Sequence, residues 1–96
     1  MIKHMIMTKL KDNSEANCQR AYQLLTAMKE EIDVVIDVEV GVDFLHSERS
    51  FDIGFVVTVA TIEDLGLYQN ASYHVNHVLA FMQEHAAHAI AVDYQC

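Results

Sequence analysis

Histidine is the side chain best suited to proton transfer near neutral pH, and this 96-residue chain carries six. His74 and His77 stand three apart, as do His85 and His88. On a helix that spacing sets two imidazoles on one face, where zinc or nickel would accept both if a third ligand converged. Nothing in the spacing supplies that third ligand, so no metal is expected, and no cofactor motif is present. Cys18 and Cys96 form no Cys-x-x-Cys pair. A disulfide scaffold is therefore excluded and a reducing compartment fits. Arg49 sits among Ser47, Glu48 and Asp52. Its guanidinium is expected to fork onto a carboxylate, pinning that loop or reaching a partner subunit.

These side chains must be positioned by elements that the apolar spacing predicts. Ile2 to Leu10 alternates, with Ile2, His4, Ile6, Thr8 and Leu10 on one face of a strand. A turn at Lys11-Asp12-Asn13-Ser14 follows, with candidate helix caps. Cys18, Ala21, Leu25, Met28 and Ile32 then form a helical stripe, which makes Cys18 buried and inert. Val34 to Val42 and Phe51 to Val59 alternate as two further strands, the latter apolar on both faces. Thr61 caps a short helix from Ile62 to about Tyr68. An interruption at Gln69–Ser72 precedes a second helical segment, capped by Ser72 and reaching roughly Glu84. Ala89 to Tyr94 is the last strand, with Ile90 and Val92 opposite Ala91 and Asp93. Met1, Met5, Met7, Met28 and Met82 read as core filler.

The order β-α-β-β-α-β predicts an α+β, ferredoxin-like sandwich: one domain, a four-stranded antiparallel sheet, both helices on one face. The opposite face is left bare and half apolar. A second copy of the chain is the simplest cover for it. An apolar fraction of 52% with 21% charged residues is that of a globular domain. The net charge of −8 repels phosphate backbones and anionic lipid, so neither nucleic acid nor membrane is expected as a partner. Met1-Ile2-Lys3-His4-Met5 lacks the layout of a secretory signal, and a cytoplasmic location is expected.

Ile2-Lys3-His4, Lys9-Leu10-Lys11-Asp12, Val38-Glu39-Val40-Gly41, Ser47-Glu48-Arg49-Ser50-Phe51-Asp52, Tyr68-Gln69-Asn70 and Val92-Asp93-Tyr94 occur in that order along the chain. Together they resemble the stress-responsive A/B barrel (Dabb) family over its whole length. The resemblance implies a homodimer in which two four-stranded sheets pack face to face as a dimeric α+β barrel. It also implies a candidate site. A plant branch of the family, olivetolic acid cyclase among it, closes linear polyketides by an intramolecular aldol step. Its constellation of a first-strand histidine, a helix tyrosine and a histidine six residues later is matched by His4, Tyr68 and His74. An acid on the last strand is matched by Asp93, and the chain departs from the family at Ala71-Ser72, where His-Pro is frequent.

Six residues along an unbroken helix leave two side chains about 120° apart, so Tyr68 and His74 converge only if the helix breaks between them. The interruption before His74 provides the break and puts this histidine in a first helical turn. The positive helix end there favours neutral imidazole, the form a general base requires. Tyr68 is a candidate donor to an enolate oxygen. His4 would orient or polarise, against Asp93, and Ile6 and Asp93 are the expected ligand-binding residues. The function expected from these residues is binding of a small hydrophobic or aromatic acid between sheet and helices. The alternatives are an aldol cyclase with His74 as base and a structural, stress-protective oligomer.

Overall fold

Alternation builds the sheet. In a computed structural model describing all 96 residues, strand β1 (Ile2–Leu10) carries its buried residues at Ile2, His4, Thr8 and Leu10. β2 (Asp37–Val42), β3 (Ile53–Val59) and β4 (Ala86–Gln95) complete an antiparallel sheet in the order β2-β3-β1-β4. With two βαβ halves, this is the ferredoxin-like α+β arrangement. Helix α1 (Glu15–Thr26) begins where Ser14 Oγ accepts the Asn17 N–H, at 3.3 Å. It runs almost directly into the short α2 (Met28–Glu31). The stripe Cys18, Ala21, Leu25, Met28 and Ile32 is wholly buried, packed with Ile53, Phe55, Val57 and Val59 of β3.

Helix α3 (Ile62–Asn70) starts on Thr61, whose hydroxyl accepts the Asp64 N–H at 3.1 Å. It ends as Ala71 turns extended, at φ −61° and ψ 142°. The interruption is therefore this one residue, narrower than the four the sequence marks. Ser72 already belongs to the next helix, and its hydroxyl accepts from Asn76 Nδ2 instead of capping the turn. From His74 to Leu79 the backbone is π-helical before it returns to the α form in α4 (Ala80–His85). Such wide turns are rare and gather at functional sites.

Several boundaries differ from the alternation pattern. β2 begins at Asp37 because the chain still turns at Val35, whose N–H reaches the Ile32 carbonyl. β4 begins three residues early, at Ala86, where a register shift opposite Lys9 and Leu10 lets pairing start at the helix end. Asp52 rather than Arg49 pins the loop before β3: its carboxylate accepts from Leu10 N and Asn13 Nδ2. Arg49 pairs with no carboxylate of its own chain. Of the five methionines only Met28 is fully buried. Met5 and Met7 fall on the opposite face of β1, where no helix covers them.

That face stays open. Met7, Ile90, Val92 and Tyr94 all present exposed apolar surface there, Val92 to 58%. Only 17 of 96 residues are buried, and the uncovered sheet contributes to that small number.

Candidate functional site

β1 delivers His4 to the helix-facing side of the sheet, and antiparallel pairing sets Asp93 of β4 directly opposite it. Period-two alternation then gives both side chains the same face. His4 Nδ1 hydrogen-bonds Asp93 Oδ1, joining residues 89 positions apart. A carboxylate only accepts, so Nδ1 carries the proton. The imidazole is buried while the carboxylate remains partly exposed.

The break at Ala71 brings Tyr68 and His74 together as the spacing argument requires. Their ring centroids lie 4.8 Å apart, and the Tyr68 ring also meets His4 edge-on at 5.7 Å. Tyr68 is thus the aromatic layer between two imidazoles. Its hydroxyl, however, lies 3.6 Å from Met28 Sδ, deep in the core. The side chain is fully buried, and burial followed by the Asp93 charge pushes its pKa well up. Here the geometry departs from the expected enolate donor: the ring borders the site, while the hydroxyl is already engaged elsewhere.

His74 Nδ1 lies 3.0 Å from the Gln69 carbonyl oxygen. A carbonyl cannot donate, so Nδ1–H is the donor and Nε2 keeps its lone pair. Burial lowers the pKa of His74 below its ordinary 6.5, and the neighbouring His4 lowers it too, against the opposing pull of the Gln69 hydrogen bond. Neutral imidazole with a free Nε2 results.

Between sheet and helices lies a cavity of about 250 Å³. His4, Ile6, Thr8, Tyr68, Gln69 and His74 are among its walls, together with Val78, Leu79 and Met82 from the wide helical turn and α4, and it is partly open to solvent. The cavity is small against the ~300–1,000 Å³ of ordinary ligand sites, which restricts it to compact molecules. Of the residues singled out in the sequence, His4, Ile6, Tyr68 and His74 line it. Asp93 does not; it acts on the cavity through His4. Thr8, Gln69 and Met82 are lining residues that spacing did not single out, although Thr8 shares the alternating face with His4 and Ile6.

A larger hollow, about 520 Å³, lies outside, between the loop after β2 and the open sheet face; Met7, Gly41, Leu45 and Arg49 help line it. It is a broad surface recess with no buried charge. No three His, Cys, Asp or Glu side chains converge as a metal site would need.

The same fold recurs in solved structures. A dimeric ferredoxin-like protein of unknown function from Thermobifida fusca superposes with a TM-score of 0.86 at 18% identity, over 99% of this chain and 90% of that one. A Dabb family protein from Mesorhizobium loti gives 0.83 at 19% identity, over 99% and 95%. A hydroxynitrile lyase from Passiflora edulis gives 0.81 at 10% identity, over 97% and 90%. At these identities the likeness is one of fold. No curated protein matches the sequence significantly. The profile of the stress-responsive A/B barrel domain, in contrast, matches residues 2–96. The chain belongs to the stress-responsive A/B barrel (Dabb) domain family.

Proposed function

We propose that this protein is a cytoplasmic homodimer, joined through its open sheet faces, that binds a small hydrophobic or aromatic acid in the 250 Å³ cavity. One observation carries the ligand reading. A mostly apolar cavity ends on two imidazoles, His4 and His74, separated by the Tyr68 ring. An apolar tail fits the wall of Ile6, Phe55, Val78, Leu79 and Met82. A carboxylate head would pair with His74, whose free Nε2 becomes an N–H donor when the anion restores the proton that burial disfavours. The dimer is supported by the apolar open face and by the dimeric ferredoxin-like proteins that share the fold. The two free thiols are compatible with a reducing compartment.

Proton abstraction is the second reading, favoured by one feature: His74 donates Nδ1–H to Gln69 and keeps Nε2 basic. A β-keto acid bound with its acidic C–H at Nε2 would lose that proton to His74; the carbanion would attack a distal carbonyl carbon, and the alkoxide left as that C=O π bond opens would take the proton back from His74, as in an aldol ring closure. Calorimetric titration with benzoic, octanoic and 3-oxo-octanoic acids tests the first reading. Saturable binding by at least one, weakened about tenfold or more in His74→Ala, is expected. Binding by none of them overturns it. Incubation with a linear polyketo acid tests the second: cyclised product with the wild type and none with His74→Ala is expected, and no product with either removes the enzyme reading while leaving the binder.

A further inference from the structure

The cavity has a second polar wall that its imidazole end does not use. Thr8 is fully buried and lines the cavity. Its Oγ1 is the one buried side-chain nitrogen or oxygen in the protein without a hydrogen-bond partner. Buried hydroxyls are nearly always paired, and an unpaired one costs stability that a valine of the same shape would not. The cross-strand neighbours of Thr8 are Ile53 and Ala89, neither with a polar side-chain atom. Ala89 also leaves room, since its single methyl group is what faces the cavity opposite Thr8. Rotation about one bond exchanges the threonine hydroxyl with its methyl group, and because the side chain is fully buried beside the cavity, that rotation is the movement the anchor requires.

Position adds the rest. Thr8 lies four residues along β1 from His4, on the same face, with the two Cα atoms about 13 Å apart. A ligand whose acid group sits at the imidazole end of the cavity therefore runs along the strand toward Thr8. We infer that the Thr8 hydroxyl anchors the far end of that ligand. The acid it takes carries a hydroxyl or carbonyl oxygen at its distal end, in place of a plain hydrocarbon tail. A hydroxyl both donates and accepts, so either distal group completes it. A buried hydroxyl left unpaired by the wrong ligand discriminates more sharply than an extra methylene does. This assignment rests on the acid-binding reading above and narrows its ligand class.

The test is calorimetric titration of the full chain with ω-hydroxy acids of six, eight and ten carbons, each beside its unsubstituted parent. In the wild type, the ω-hydroxy acid of matching length is expected to bind about tenfold more tightly than its parent. Thr8→Val removes the hydroxyl at constant shape. It should abolish or reverse that preference, keep binding of the parent acid, and leave the melting temperature equal or higher. Thr8→Ser retains the hydroxyl and should retain the preference. Equal binding of hydroxy and parent acids at every length by the wild type overturns the anchor and leaves the acid site standing. A preference that survives Thr8→Val also overturns it. Binding of neither series overturns the acid-binding reading itself, and the anchor with it.

Discussion

His74 is held in its neutral form by burial. Burial first and the neighbouring His4 second bring its folded pKa below the ordinary 6.5, while the hydrogen bond to Gln69 fixes the tautomer and pulls the other way. The sign of the stability effect follows. As pH falls, the unfolded chain takes up the proton first, so the native state loses stability from about 6.5 down through the lowered value. Above 6.5 the contribution is fully present. Chemical denaturation of wild type and His74→Gln at about pH 7.5 and about pH 5 reads this directly. The wild type is expected to lose more stability than the variant over that interval; equal losses would show that His74 carries no such burden. His4 is held in the same way, with its Nδ1–H on Asp93, so the two histidines beside the Tyr68 ring both donate from Nδ1 and differ in the acceptor, a carboxylate for His4 and a backbone carbonyl for His74.

At the scale of elements, the site depends on where helices stop. One extended residue, Ala71, separates α3 from the following helical segment and lets the Tyr68 and His74 rings meet. The π-helical turn that follows puts Val78 and Leu79 on the cavity wall. α3 is itself held at its start by Thr61 Oγ1 on the Asp64 N–H. Thr61→Ala should cost about 1 kcal/mol, since the hydroxyl satisfies one of the orphan amides of the first turn. Equilibrium denaturation measures it, and a cost near zero would mean that solvent replaces the cap. Because α3 carries Tyr68 at its far end, the loss is expected in stability, with ligand binding retained in the folded fraction.

At the scale of the molecule, the uncovered sheet face decides assembly. Met7, Ile90, Val92 and Tyr94 form a patch with no helix over it, on a chain too small to leave such area in water without cost. In the homodimer proposed above, the twofold axis would bring the two patches together. Val92→Asp puts a carboxylate on each side of that contact and should convert the dimer to monomer by sedimentation or light scattering. The melting temperature should drop as well, by roughly 4–8 °C for each kcal/mol lost in a domain of this size. A wild type that is monomeric, or a variant that stays dimeric, would assign the open face another role.

Local pattern was enough for much of this protein. Alternation put Ile2, His4, Thr8 and Leu10 on the buried face of β1, because a strand has a side-chain period of two whatever surrounds it. The three-and-four spacing of Cys18, Ala21, Leu25, Met28 and Ile32 marked the buried helical stripe, and strand order with helix placement limited the topology to the ferredoxin-like sandwich. Convergence of Tyr68 and His74 was also legible, since it needs only a break between two numbered positions. What tertiary structure alone decided is where atoms separated along the chain meet. Sequence gives no direction to the Tyr68 hydroxyl, which went to Met28 rather than the cavity because its partner lies 40 residues away. Nor does it reveal the π-helical turn, which has no distinct spacing signal, or the loop being pinned by Asp52 in place of Arg49. The cavity is the clearest case: a void is set by how the side chains of two layers fail to fill the space between them, and no single segment contains that information. The unpaired hydroxyl of Thr8 has the same origin, for a residue has no missing partner until the fold has placed all its neighbours.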